Sequence, residues 1–276
     1  MADTFLGAWL VSEYVYNPDG RFVGIIHQRR ELAQLANGRI RVTQHCQPSA
    51  ALDGHPMARF TGVPVFELST DGRYRRYHGP AVIGSGITWG AGAITGSGIW
   101  PTFGHNFRSF AVQPTANLQL TGGQFFNASE MVAHIAGIAI PAETAADYPT
   151  LPLTYAPQTA VWMGTITTLL ADGTLVEQQP SQRTYQSDLH WQEDGAEWQM
   201  TNQNGRLHTH TAHLQGFAKQ VGPLREMELV NANGRMLQQM ELLHPHHLIA
   251  IRRCWQDGIL EKVDVLRYGD GSNPAA

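Results

Sequence analysis

Apolar and polar residues alternate with a period of two in short runs along most of this chain. In Arg39-Ile40-Arg41-Val42-Thr43, Ile40 and Val42 fall on one face and Arg41 and Thr43 on the other. Lys262 to Tyr268 alternates in the same way, with Val263 and Val265 on one side. The runs are bounded by Asp-Gly and Asn-Gly pairs, among them Asp19-Gly20, Asn37-Gly38, Asp71-Gly72, Asp172-Gly173, Asp194-Gly195, Asn233-Gly234 and Asp257-Gly258. Such pairs suit tight hairpins because their residues tolerate positive φ. No segment makes a convincing amphipathic helix of ten or more residues. The best candidate, Ala128 to Ile140, reads as a helix or equally as a buried strand. The pattern predicts an all-β fold of short antiparallel strands joined by hairpins, built as a sandwich or barrel.

A longer period lies on top of the short one. Trp9, Asp19, Gly20, Val23 and Arg30 have the same spacing as Trp162, Asp172, Gly173, Val176 and Arg183, each pair 153 residues apart. In both copies a Trp opens an extended run, an Asp-Gly turn reverses the chain, and the returning run ends in Arg. Between the copies, Ile140 to Thr159 carries Pro141, Pro149, Pro152 and Pro157 without periodicity. Proline fixes φ and removes a ladder donor, so this run reads as a join. The expectation is two tandem antiparallel β modules, 1–145 and 155–276, with Trp9 and Trp162 in equivalent buried positions.

Composition narrows the function classes. The 276 residues are 42% hydrophobic and only 15% charged, enough apolar material for packed cores. The net charge of −4 and the lack of any Lys/Arg cluster argue against nucleic acid as a partner. No run of 18 apolar residues is present, so no membrane-spanning helix is expected. The N-terminal sequence shows no secretory pattern, and Cys46 and Cys254 lie in different proposed modules. A cytoplasmic protein with two unpaired thiols is therefore expected.

The Gly7-Ala8-Trp9 opening followed by meandering hairpins resembles the start of a lipocalin-like (calycin) barrel. The second copy departs from that pattern at the glycine. The resemblance implies a closed barrel around a cavity, with the opening Trp packed against an Arg of the last strand; Arg267 is placed for that role toward Trp162. Tandem lipocalin-like architectures occur in carotenoid hydratases and natural-product cyclases. A second resemblance is local. Trp89-Gly90-Ala91-Gly92, then Gly96-Ser97-Gly98-Ile99-Trp100-Pro101-Thr102, is similar to the glycine-rich Trp and Pro-Thr signature of nitrobindin-like haem barrels. It implies haem held by a histidine, for which no residue here can be matched.

Chemistry has few obvious carriers. Gly84 to His105 holds seven glycines with Trp89, Trp100 and Phe103. It reads as a wall bending around a ligand, or as a corner where two hairpins pack closely. On the first reading Trp89, Trp100 and Phe103 bind the ligand, and His105 is the acid/base residue. His208 and His210 share a strand face, and His244, His246 and His247 surround Pro245. These clusters offer imidazoles to a metal or are surface residues, and with no acidic ligand at metal spacing no metal site is assigned. Six Asp residues (19, 53, 71, 172, 194 and 257) precede glycine in turns, which leaves few carboxylates for acid/base work in the first module, Glu13, Glu67 and Glu130 among them. No Gly-X-Ser-X-Gly elbow, phosphate loop or cysteine-nucleophile motif appears. The expected function is binding of a small apolar molecule in the first module, without a cofactor. Isomerisation, cyclisation or hydration by acid/base chemistry would follow. A non-catalytic carrier or haem-binding barrel is the alternative, and the oligomeric state is open.

Overall fold

The computed structural model describes residues 5–90, 92–157, 161–204 and 206–271. It divides into two compact units, Met1–Leu151 and Pro152–Ala276. Unit 1 contains β1 (Gly7–Tyr16), β2 (Phe22–Gln34), β3 (Ile40–Pro48), β4 (Val65–Asp71), β5 (Tyr74–His78), β6 (Ile83–Thr88), β7 (Ala93–Trp100), β8 (His105–Thr115), β9 (Leu118–Asn127) and β10 (Glu130–Pro141). Unit 2 contains β11 (Val161–Leu170), β12 (Leu175–Ser187), β13 (His190–Glu193), β14 (Ala196–Gln203), β15 (Arg206–His210), β16 (Gln215–Val221), β17 (Leu224–Val230), β18 (Arg235–His244), β19 (His247–Gln256) and β20 (Ile259–Gly269). Each set forms a closed antiparallel meander of ten strands, the first pairing with the last. The fold is thus all-β, with two barrels in tandem. Lipocalin barrels have eight strands. Closure removes the exposed edges that would invite pairing with other chains.

The 153-residue period is structural in the opening hairpins. β2 spans 22–34 and β12 spans 175–187, the same offset. Trp9 pairs with Arg30, and Trp162 with Arg183. Both hairpins carry an irregularity at the same place, between Val15 and Tyr16 and between Thr168 and Leu169. Trp9 and Trp162 are both buried. Arg267, in β20, stands opposite Thr165 and Ile249 in the ladders.

Ala128 to Ile140 resolves in favour of the strand: Ala128 has a φ of 53° at the turn, and β10 runs on from Glu130. Its neighbours β1 and β9 satisfy its backbone groups, so a buried extended conformation carries no hydrogen-bonding penalty. The chain between β3 and β4 makes two short 3-10 turns, Ala50–Leu52 and Pro56–Arg59, and contributes Leu52, Met57 and Phe60 to the barrel 1 core. The proline-rich join is anchored within each unit. Tyr148 packs on His27 with ring centroids 4.4 Å apart, and the Leu151 amide donates to Tyr14 Oη at 3.1 Å. In unit 2, Tyr155 is buried inside barrel 2.

Candidate functional site

Barrel 1 holds a partly open cavity of about 210 Å³. Period-two alternation decides what faces it. From β1 to β4, inward positions include Glu13, Gln28, Arg30, Val42, Gln44, Phe66 and Leu68. Rings from five other places, Phe60, Tyr77, Trp100, Phe107 and Phe125, line a further part, and Arg75 is a second cation in the lining. These rings form one connected cluster, with Phe60 centroids 5.6 Å from Trp100 and 5.0 Å from Phe125. Such tilted and edge-on contacts hold large apolar faces at little conformational cost.

The glycine run of 84–98 lies behind this wall and contributes only Ile94 to the lining. Gly84 pairs with Gly98 and Gly86 with Gly96. A side chain at Gly98 would strike the Ile83 carbonyl and come within 2.9 Å of Phe107. Glycine therefore lets β6 and β7 approach closely and lets a ring lie flat over the ladder. Of the two readings of the segment, the geometry favours the closely packed hairpin: Tyr77 and Phe107 fill the space over its glycines, and none of those glycines lines the cavity.

A polar group lies on the neighbouring arc formed by β9, β10, β1 and β2. Glu13 Oε2 accepts from Gln28 Nε2 at 2.7 Å, and Arg30 Nη2 stands 3.4 Å from Glu13 Oε1. Arg30 Nη2 also donates to Gln28 Oε1 at 3.1 Å. Gly137, opposite Glu13 in β10 and Thr121 in β9, keeps this arc open. A Cβ there would collide with Thr121 Oγ1 and lie 3.4 Å from Glu13 Cγ. Burial pushes the Glu13 carboxyl above its ordinary value, and the Arg30 charge only partly offsets this. The arrangement is a largely buried carboxyl group, oriented by an amide, beside a mainly apolar cavity. It can take up and return a proton.

The residues expected from sequence are placed unevenly. Trp100 lines the cavity. Phe103 packs on Phe60 at 4.0 Å and on Trp100 at 5.6 Å, and is not itself among the lining residues. His105 also stands off the lining. Its ring lies parallel to Phe60 at 6.4 Å, and Nε2 is 3.5 Å from the Pro56 carbonyl. Burial lowers its pKa; the Pro56 contact opposes that and Arg59 adds to it, so the imidazole is neutral at pH 7. Trp89 sits beyond β6, donating to Thr95 Oγ1 at 2.9 Å with Arg73 over its ring. Gln119 and Thr121 are not marked by the sequence, and Glu13 is marked only as a free carboxylate without a role. The available signal was a carboxylate at an inward position of the Trp9, Val11, Glu13, Val15 alternation.

Barrel 2 carries its Arg differently. Arg183 is fully buried, 2.6 Å from Glu193 and 2.9 Å from Glu241. Arg225 also meets Glu241, and Arg252 meets Glu193. Tyr155 enters from the join, its hydroxyl 2.6 Å from Glu241 and 2.8 Å from Tyr185, with Arg225 stacked 3.8 Å from its ring centroid. Trp191 and Trp198 stack at 5.7 Å. This interior is filled with paired charges and rings. His208 lies against Phe217, and His210 against Gln199. His244, His246 and His247 cluster in the β18–β19 turn, where burial drives His244 down to about 4 and His246 meets Asp270 at 2.8 Å. Among the described residues, no group of three or more His, Cys, Asp or Glu is arranged to hold a metal. Cys46 and Cys254 are buried and unpaired, and burial pushes the Cys46 thiol up to about 12. No helix among the described residues is long and apolar enough to cross a membrane.

No protein-family model matches the chain, and no curated protein matches it. Solved structures do. A protein of unknown function from Nostoc punctiforme, of the DUF3598 family, is 14% identical over 96% of both chains with a TM-score of 0.60. That similarity reaches the tandem-barrel fold and no further. Two others align at low scores. One is a Bacteroides fragilis protein assigned provisionally to the outer membrane (TM-score 0.25, 7% identity, 96% of this chain and 97% of that one). The other is kievitone hydratase from Nectria haematococca (TM-score 0.17, 9% identity, 96% and 89%).

Proposed function

We propose that barrel 1 is a lipocalin-like binding chamber for a small, largely apolar molecule, and that Glu13 performs acid/base chemistry on it. The observation that carries this reading is the roughly 210 Å³ cavity with aromatic walls and one carboxyl group held at its edge. Engineered apolar cavities of about 150 Å³ accept benzene, so a substituted ring is the right size. Glu13 takes a proton from one carbon of the ligand and returns it at another. The sum is an isomerisation or ring closure; in a hydration the protonated Glu13 would instead give its proton to one alkene carbon while water adds to the other and returns a proton to the carboxylate. Its raised pKa brings the acid closer to neutrality, where proton transfer in both directions is efficient. Trp100 supplies apolar contact, with Phe103 and His105 supporting the Phe60–Trp100 layer.

The haem-barrel alternative finds no support in the lining, which contains no histidine, cysteine or methionine. A cavity little larger than one that fits benzene also has no room for a porphyrin. The two unpaired buried thiols suit a reducing compartment such as the cytoplasm. Native mass spectrometry of the freshly purified protein tests the binding claim, and a retained small molecule is expected. Folded Trp100→Ala should hold that molecule much more weakly than wild type or folded Trp191→Ala. Equal retention by Trp100→Ala removes the site from barrel 1.

A further inference from the structure

The polar arc of the barrel 1 cavity lacks partners in one direction. Gln119 Nε2, Arg30 Nε and Thr121 Oγ1 are buried with no hydrogen-bond partner among the described residues. The two nitrogens can only donate. The cavity's carboxylate, by contrast, already accepts from Gln28 and Arg30. Gln119 is 3% exposed, so bulk water does not serve it. Buried polar groups are ordinarily paired, and one left open inside a cavity marks the place where a ligand completes the set.

Position makes the three groups a site. Gln119 and Thr121 are two apart on β9 and therefore point to the same inward face. Both line the cavity, as does Glu13 on the other side of bare Gly137. We propose that the ligand is a neutral carbonyl compound built on one small ring system. Its oxygen accepts from Gln119 Nε2 and Thr121 Oγ1, and its ring lies against Trp100, Phe107 and Phe125. This rests on the reading of barrel 1 as a ligand chamber.

The ligand is an acceptor because the unmet groups donate. It is neutral because the Arg30 charge is matched by Glu13, the other lining cation, Arg75, is engaged with Thr88 and the Phe5 ring, and a second carboxylate would lie beside the first in a poorly solvated space. A carbonyl also fits the proton transfer. Glu13 removes a proton from the carbon next to the carbonyl, so a C–H bond breaks and an O–H bond forms on the carboxylate. The electron pair moves onto the carbonyl oxygen, where Gln119 and Thr121 hold the developing negative charge. Where the ligand carries a C=C bond β,γ to the carbonyl, return of the same proton to the γ carbon completes a double-bond shift, with no further reactant.

Calorimetric titration of the full-length protein with acetophenone, ethylbenzene and benzoate tests this. These share a ring and differ in the head group. Acetophenone should bind about tenfold tighter than ethylbenzene, the gain from one to two good hydrogen bonds. Gln119→Leu and Thr121→Val should each erase most of that preference while leaving ethylbenzene binding intact. Both should also raise the Tm of the unliganded protein, because each removes an unpaired buried polar group. Equal wild-type binding of acetophenone and ethylbenzene overturns the carbonyl assignment and leaves the apolar chamber standing. Tightest binding of benzoate overturns the neutral head group. If the variants lose ethylbenzene as well, the two residues shape the wall instead of reading the oxygen, and the proposal fails. Binding of none of the three overturns both this proposal and the reading on which it rests.

Discussion

Glu13 shows how one inward position decides the character of a barrel. Its neighbours on the same face, Val11 and Val15, are fully buried and apolar, and an isosteric amide would preserve the hydrogen bond from Gln28 only in part. Glu13→Gln should fold normally and lose at least about a hundredfold in turnover of the native substrate, the range for a positioned acid/base group. Steady-state kinetics on the retained molecule checks this, and undiminished turnover would move the chemistry elsewhere, with His105→Ala the next variant to measure. Gly137→Ala should weaken ligand binding without touching an ionisable group, because its methyl would push Thr121 and Glu13 apart. Sequence reading reached Trp100 through its aromatic, glycine-rich setting. Glu13 is legible as a free carboxylate but not as a cavity group, because a lone carboxylate in an alternating run looks like a strand residue. Only closure of the barrel shows that the Val11–Val15 face is the inside. Gln119 and Thr121 are legible as site residues only once their unpaired atoms are seen.

At the scale of the hairpin, turns and repeat were the most readable features. The Asp-Gly and Asn-Gly pairs place glycine at positive φ at 20, 38, 72, 173, 195, 234 and 258, and the repeated Trp and Arg meet in register in both barrels. The different fates of the two Arg were not readable, because their partners arrive from distant strands. Glu193 and Glu241 lie on β13 and β18, and Tyr155 on the join. Removing one member of a buried ion pair leaves an uncompensated charge, so Arg183→Met should destabilise barrel 2 by about 3–5 kcal/mol. Arg30→Met should cost barrel 1 distinctly less, since Glu13 can accept a proton and become neutral. Tyr155→Phe should cost about 1–3 kcal/mol by stripping a buried partner from Glu241 and Tyr185. Urea denaturation of the three variants would rank them. Equal costs for the two Arg changes would contradict the assigned roles.

Across the whole molecule, the two barrels hold their carboxylates in opposite ways, and pH should separate them. In barrel 2, burial alone would raise the Glu193 pKa, but the Arg252 and Arg183 charges overcome it and hold the group at about 2. Glu241 is lowered against the same burial penalty by Arg183 and Arg225. A carboxyl with a depressed folded pKa contributes stability that is present above its unfolded value of 4.5. That stability disappears as pH falls toward the folded value. For Glu193 the amount is on the order of 3 kcal/mol. Glu13 has the other sign. Its folded pKa is raised above 4.5, so its contribution is complete below 4.5 and is lost as pH rises through the folded value. Acid should therefore loosen barrel 2 while relieving barrel 1. Hydrogen exchange read by mass spectrometry at pH 3 and pH 6, with protection corrected for intrinsic rates, resolves the two units by peptide. Peptides from β12, β13 and β18 should lose protection at pH 3, while those from β1, β2 and β9 keep or gain it. Glu13→Gln should flatten the barrel 1 response between pH 4.5 and neutrality and leave barrel 2 unchanged. If both barrels lose protection together at pH 3, the Arg183 network does not govern acid stability. The opposed roles of the two interiors, one closed by charge and one left open for a ligand, would then have to be abandoned.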